Sequence, residues 1–166
     1  MTTLLKNSLT LILGLLFISG SALAQQQQMP PQPKPLSPEE VSDQDLQMVA
    51  NVSKAAEGIQ QEANSRMKKV LEDEGMQFSR FQQIMMAMQN PQMSQQVDVT
   101  EEEQKTIQTV QPNLQKINNE ARSKYVKAIQ DEGLTPQKFQ QLALTIQTHQ
   151  EVADRFEEIS AEGDSQ

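Results

Sequence analysis

Two short stretches carry the side chains best suited to chemistry. Asp73-Glu74 and Asp131-Glu132 each stand just before a glycine, Gly75 and Gly133, in matching runs that begin at Lys69 and Lys127. Clustered carboxylates are what a hard cation such as Ca²⁺ takes, so these four acids are the candidate metal ligands. Their spacing matches no calcium-binding loop, however. Acids in the last turn of a helix also oppose its dipole, and Lys69 and Lys127 stand four residues before Asp73 and Asp131, where they can neutralise them. The plainer expectation is therefore two ion pairs, with the glutamates facing water.

A second cluster holds Met76, Met85, Met86, Met88 and Met93. Thioethers suit Cu(I), but unbranched methionines beside Phe78 and Phe81 also fill cores or form adaptable apolar grooves. A repeat decides between these readings: Met85, Met86 and Met88 correspond to Ala143, Leu144 and Ile146, which pack and do not ligate. The chain has one histidine, His149, and no cysteine, and neither a nucleophile elbow nor a glycine-rich phosphate loop occurs. The sequence thus points away from an enzyme, with no catalytic residue and no cofactor.

The elements that must position these residues are helices. From Val49 the apolar residues Val52, Ala56, Ile59, Ala63, Met67 and Val70 recur at gaps of three and four, one stripe of a long amphipathic helix. Ser42 and Asp45 form a capping box at its start, and Gly75 ends it. A second helix carries Phe78, Phe81, Met85 and Met88 inward and stops near Asn90-Pro91. A shift of 58 residues then reproduces the pattern without a gap, placing Ile59 on Ile117, Asp73-Glu74-Gly75 on Asp131-Glu132-Gly133 and Phe81-Gln82-Gln83 on Phe139-Gln140-Gln141. Thr100 and Glu103 repeat the capping box. Glu62 and Arg66, like their copies Glu120 and Lys124, have the spacing of an ion pair within one helix.

Pro112 predicts a kink or break in the third helix. Thr135-Pro136 starts a fourth helix, expected to run on through Ile146, Val152 and Phe156 to about Ile159. No stretch alternates with period two. The predicted fold is all-α, a bundle of about four helices built from two tandem helical hairpins, residues 41–91 and 99–160 of a domain spanning 41–160, with a disordered tail at 161–166.

Ahead of the domain, residues 1–24 read as a signal peptide. Lys6 precedes an apolar run from Leu9 to Ile18, and small residues end at Ala24. Residues 25–40, rich in Gln and Pro, read as a disordered spacer. The protein is expected to be exported, to the periplasm or beyond, with no membrane span left after cleavage. A net charge of −8 argues against nucleic acid as a partner. It leaves a protein partner, or a homodimer through the apolar stripes, as the expected association.

The runs Gln-Gln-Glu-Ala-Asn-Ser-Arg-Met (60–67), Asp-Glu-Gly-Met (73–76) and Phe-Gln-Gln-Ile (81–84), with their second copies, resemble the bacterial domain-of-unknown-function 4168 family. That resemblance implies a secreted helical protein and no assigned activity. Leu134-Thr135-Pro136-Gln137-Lys138 is also similar to the Leu-Thr-x-x-Gln motif of periplasmic stress chaperones of the Spy and CpxP type. That second likeness implies exposed apolar or Met-rich surface for unfolded clients.

Overall fold

A computed structural model describes residues 33–89 and 97–163; the expected signal peptide, the first part of the Gln/Pro tract and the end of the tail lie outside the described residues. Among the described residues the chain is all-helical, with no strand. A 3₁₀ turn at Pro38–Glu40 precedes α1 (Asp43–Asp73), α2 (Phe78–Gln89), α3 (Glu101–Asp131), α4 (Pro136–Thr148) and α5 (Gln150–Gly163). No helix among these residues is long and apolar enough to cross a membrane.

Local chemistry sets the boundaries. At the start of α1 the Asp45 N–H donates to Ser42 Oγ at 3.1 Å, and the Ser42 N–H to Asp45 Oδ2 at 3.1 Å. Thr100 and Glu103 make the same reciprocal box on α3, at 3.2 and 3.0 Å. Thr135 caps α4 by accepting from the Lys138 N–H at 3.1 Å, with Pro136 in the first turn. Both long helices end in one motif. Gly75 (φ 77°) and Gly133 (φ 80°) take the left-handed conformation. The Met76 N–H then reaches back to Leu71 O (2.9 Å), and the Leu134 N–H to Ile129 O (3.1 Å). Each bond joins two buried apolar residues, the hydrophobic contact that accompanies a Schellman ending.

Four expectations need correction, the first being the tail: residues 161–163, expected to be disordered, continue α5. Pro112 does not break α3, which is continuous from Glu101 to Asp131. Pro112 and Gln108 are both exposed, so water can take the carbonyl that the missing N–H leaves free. Val110 and Leu114, buried on either side of the proline, hold the helix together. The fourth helix does stop early. His149 is extended (φ −118°, ψ 110°), donating its N–H to Thr145 O and accepting from the Ala153 N–H, so one residue caps α4 and starts α5. This bend lets Val152 and Phe156 bury in the same cluster as Ile146. Residues 33–40, expected to be part of a disordered spacer, form an extended stretch and a turn held on α4: Thr145 Oγ1 accepts from the Leu36 N–H at 2.8 Å and donates to Gln141 O at 2.8 Å. Thr145 is completely buried.

The contacts fall into two compact units. The first takes the chain up to Glu57 together with Tyr125 onward; the second is Gly58–Lys124. In the first unit Leu46, Val49 and Val52 of α1 pack with Ile129, Leu134, Phe139 and Leu142, and α5 adds Val152 and Phe156. Arg155 fastens α5 to the start of α1 through Val41 O (3.0 Å) and Asp43 (2.5 Å). In the second unit Ile107, Val110 and Leu114 of α3 pack with Leu71, Met76 and Ile84. These are the repeat copies of one another: Val49 and Val52 correspond to Ile107 and Val110, and Ile129 and Leu142 to Leu71 and Ile84. Each unit joins the front of one repeat to the back of the other.

Inside the second unit α1 and α3 run antiparallel. The ion pairs expected within single helices are made mainly across this seam. Arg66 lies 2.6 Å from Glu120 but 3.7 Å from Glu62, and Lys124 reaches Glu62 at 2.5 Å. Since Glu62 and Arg66 are the copies of Glu120 and Lys124, one contact occurs twice about a local two-fold. Ala63 and Ala121, both buried beside Ile117, let the helices approach there.

Candidate functional site

The acidic corners resolve into separate, mostly ordinary contacts. Lys69 Nζ donates to both carboxylate oxygens of Asp73 at 3.0 and 3.1 Å. Lys127 Nζ does the same to Asp131, at 2.6 Å each. Glu132 accepts from Asn51 Nδ2 at 2.9 Å, tying the corner after α3 to α1 within the first unit. Glu74 is exposed on the wall of an open cleft of about 550 Å³ that also touches Thr100, Glu102 and Thr106. Asp73 and Glu74 belong to the second unit, and Asp131 and Glu132 to the first. Among the described residues no group of three or more His, Cys, Asp or Glu side chains is arranged to hold a metal ion.

One charged pair in that cleft organises its surroundings. Arg80 Nε and Nη2 donate to the two oxygens of Glu103 at 2.6 and 2.9 Å, and Nη2 also donates to Asp98 O. The fork is bidentate, the strong geometry for arginine and carboxylate. The Arg80 guanidinium, followed by the Thr100 N–H, holds the Glu103 carboxyl down at about 2. Sequence inspection missed this pair because its members lie 23 residues apart on different helices. A lone arginine in the otherwise uncharged α2 was the available signal.

The methionines separate by depth. Met76 is buried against Leu71 in the second unit. Met85 is half-buried, whereas Met86 and Met88 are 55 % and 69 % exposed, the large hydrophobic side chains most open to solvent among the described residues. Two residues apart, Met86 and Met88 open on different sides of the helix; Met88 lies on one edge with half-buried Phe81 and Met85, a soft apolar surface able to repack against differently shaped partners. The copied positions in α4 behave differently: Ala143 and Ile146 are buried and Leu144 half-buried. His149, the one histidine, sits half-buried at the α4–α5 corner.

Comparison with known proteins places the chain in a family and no closer. The family model described as "Domain of unknown function (DUF4168)" matches twice, over residues 18–97 and 92–156. The two matches agree with the internal repeat. No curated protein and no solved structure matches the chain.

Proposed function

The chain belongs to the Domain of unknown function (DUF4168) family, and we propose on that premise that it is an exported, non-enzymatic binding module of the cell envelope. Export is supported by the signal-peptide pattern of residues 1–24, with its single Lys6, apolar run and small residues before Ala24. The observation that carries the binding role is the exposure of Met86 and Met88 on α2. Exposed apolar side chains offer a partner surface to bury, and methionine is the residue suited to a partner of variable shape. A net charge of −8 keeps such a surface soluble between binding events.

The same observation favours a chaperone-like version of the role, in which the occupant is an unfolded segment of an envelope protein. The test is aggregation of reduced insulin, followed by light scattering with the full chain at equimolar ratio. Suppression that is lost in Met86→Gln/Met88→Gln supports binding through these side chains. Unchanged scattering removes the chaperone version.

A further inference from the structure

Each repeat supplies one short helix after its glycine corner, α2 in the first and α4 in the second, and the inner faces of these helices match. Ile84 and its copy Leu142 are both completely buried. Their outer edges do not match. Phe139 and Ala143 are buried at 4 % and 2 %, whereas their copies Phe81 and Met85 are only half-buried. The largest difference is at the next turn, where Ile146 is 5 % exposed and Met88 69 %. What covers this edge in the first unit is α5, whose Val152 and Phe156 lie in one cluster with Ile146. The next described helix after α2 is the long α3, so among the described residues α2 has no short covering helix of its own. The residue types follow the difference. Where the covered helix has Ala143, Leu144 and Ile146, the uncovered one has Met85, Met86 and Met88. Fixed shapes suit a permanent neighbour, and flexible thioethers suit one that arrives and leaves.

We propose that the Phe81/Met85/Met88 edge of α2 is the docking site for an amphipathic α-helix of a partner protein, bearing an aliphatic and an aromatic residue four positions apart, seated on α2 as α5 is seated on α4. Val152 and Phe156 show the spacing such a helix needs, two apolar anchors on one face. Apart from Arg80, which is taken up by Glu103, α2 carries no charge, so apolar fit and not charge selects the occupant. The inference rests on the binding role proposed above and narrows it to a folded helix.

The test uses the full chain and a fluorescein-labelled peptide of residues 149–163, the α5 sequence, as the surrogate helix, read by anisotropy. Saturable binding should weaken by about tenfold or more in Met85→Gln/Met88→Gln. Met88 faces solvent and Met85 is half-buried, so the variant should keep a cooperative melt. Met88→Ile, which installs the residue of the covered copy, should retain binding, and a peptide carrying Val152→Ser and Phe156→Ser should not bind. Equal binding by the wild type and the double Gln variant would mean that the peptide merely exchanges with α5 in the first unit, and it overturns the proposal. So does absence of binding by the wild type. Anilinonaphthalene sulfonate fluorescence separates the two levels. If the dye signal depends on Met86 and Met88 but the peptide does not bind, the helix is the wrong occupant and the binding role stands. If neither probe responds to the methionines, both fall.

Discussion

Lys124 Nζ donates to both carboxylate oxygens of Glu62, at 2.6 and 2.5 Å, across a sequence separation of 62 residues. Arg66 and Glu120 make the copy of this contact at 2.6 Å. All four side chains are well exposed, so the pairs set the register of α1 against α3 more than they add stability. Lys124→Glu should lower the melting temperature by placing acid against acid. Glu62→Lys added to it should recover most of the loss, and the effect should shrink in molar salt. Failure of the double reversal to recover stability would mean that Lys124 does not act through Glu62.

Acid should test the cleft. With the Glu103 carboxyl held at about 2 against an ordinary 4.5, the folded state prefers its ionised form. The associated stability is present above pH 4.5 and is lost as pH falls toward 2. Melting temperatures measured across that window should fall less steeply for Glu103→Gln than for the wild type. An identical slope would remove Glu103 from the acid response.

Tyr125 offers a clean alkaline probe, because the chain has one tyrosine and no tryptophan. Burial pushes its hydroxyl up to about 12. Absorbance at alkaline pH should therefore show ionisation well above the ordinary 10, reverting to 10 in urea. The neutral phenol is favoured by folding, so its contribution is intact below pH 10 and is lost between about 10 and 12. The hydroxyl is buried without a hydrogen-bond partner, while the ring meets Phe139 edge-on at 6.0 Å. Tyr125→Phe should accordingly stabilise the fold by about 1 kcal/mol in urea titrations. A loss of similar size would show that the hydroxyl is satisfied.

The glycine corners should respond alike. A Cβ at Gly75 or Gly133 meets nothing within 4 Å, so an alanine there costs only its left-handed backbone. About 1–2 kcal/mol is expected at each, by urea denaturation. A much larger loss at one corner would show that something other than φ is at stake there.

Thr145 is the one buried polar residue of the described core, and Thr145→Val would leave the Leu36 N–H without its acceptor. A cost of about 1–3 kcal/mol should follow, with faster amide exchange at Leu36. Unchanged exchange would mean that the segment is held by other contacts.

The helices were legible because each announces itself locally. The stripes from Val49 and from Ile107, both capping boxes and both glycines lie within a few residues of what they control. Even the α4–α5 corner left a trace, since the step from Ile146 to Val152 skips the rhythm of three and four. The deepest residues were harder to find. Leu71 and Ile129 lie four residues after Met67 and Tyr125, so periodicity admits them as readily as the neighbouring Val70 and Ala128, and the Schellman bond decides for them. Long-range partnerships left no local mark. Glu62 and Arg66 have the spacing of a same-helix pair, and only the packed seam shows that each has a better partner elsewhere. The candidate site was half legible. The acidic corners drew attention by repetition and proved to be ion pairs and a tie to Asn51, whereas Met86 and Met88 passed as core residues, because nothing in their own spacing says that a covering helix is missing.

The exchange of halves between repeats fixes an order of events during synthesis. The second unit is one unbroken stretch, Gly58–Lys124, and can close as soon as that stretch is available. The first unit needs both ends of the chain, and the contact between Leu36 and Thr145 must span 109 residues. Closing so long a loop before its middle has condensed is entropically the harder step. The contacts of the N-terminal segment with α4 must therefore wait until Thr145 has been made. A chain that crosses a membrane as an extended thread would lose nothing by such a delay.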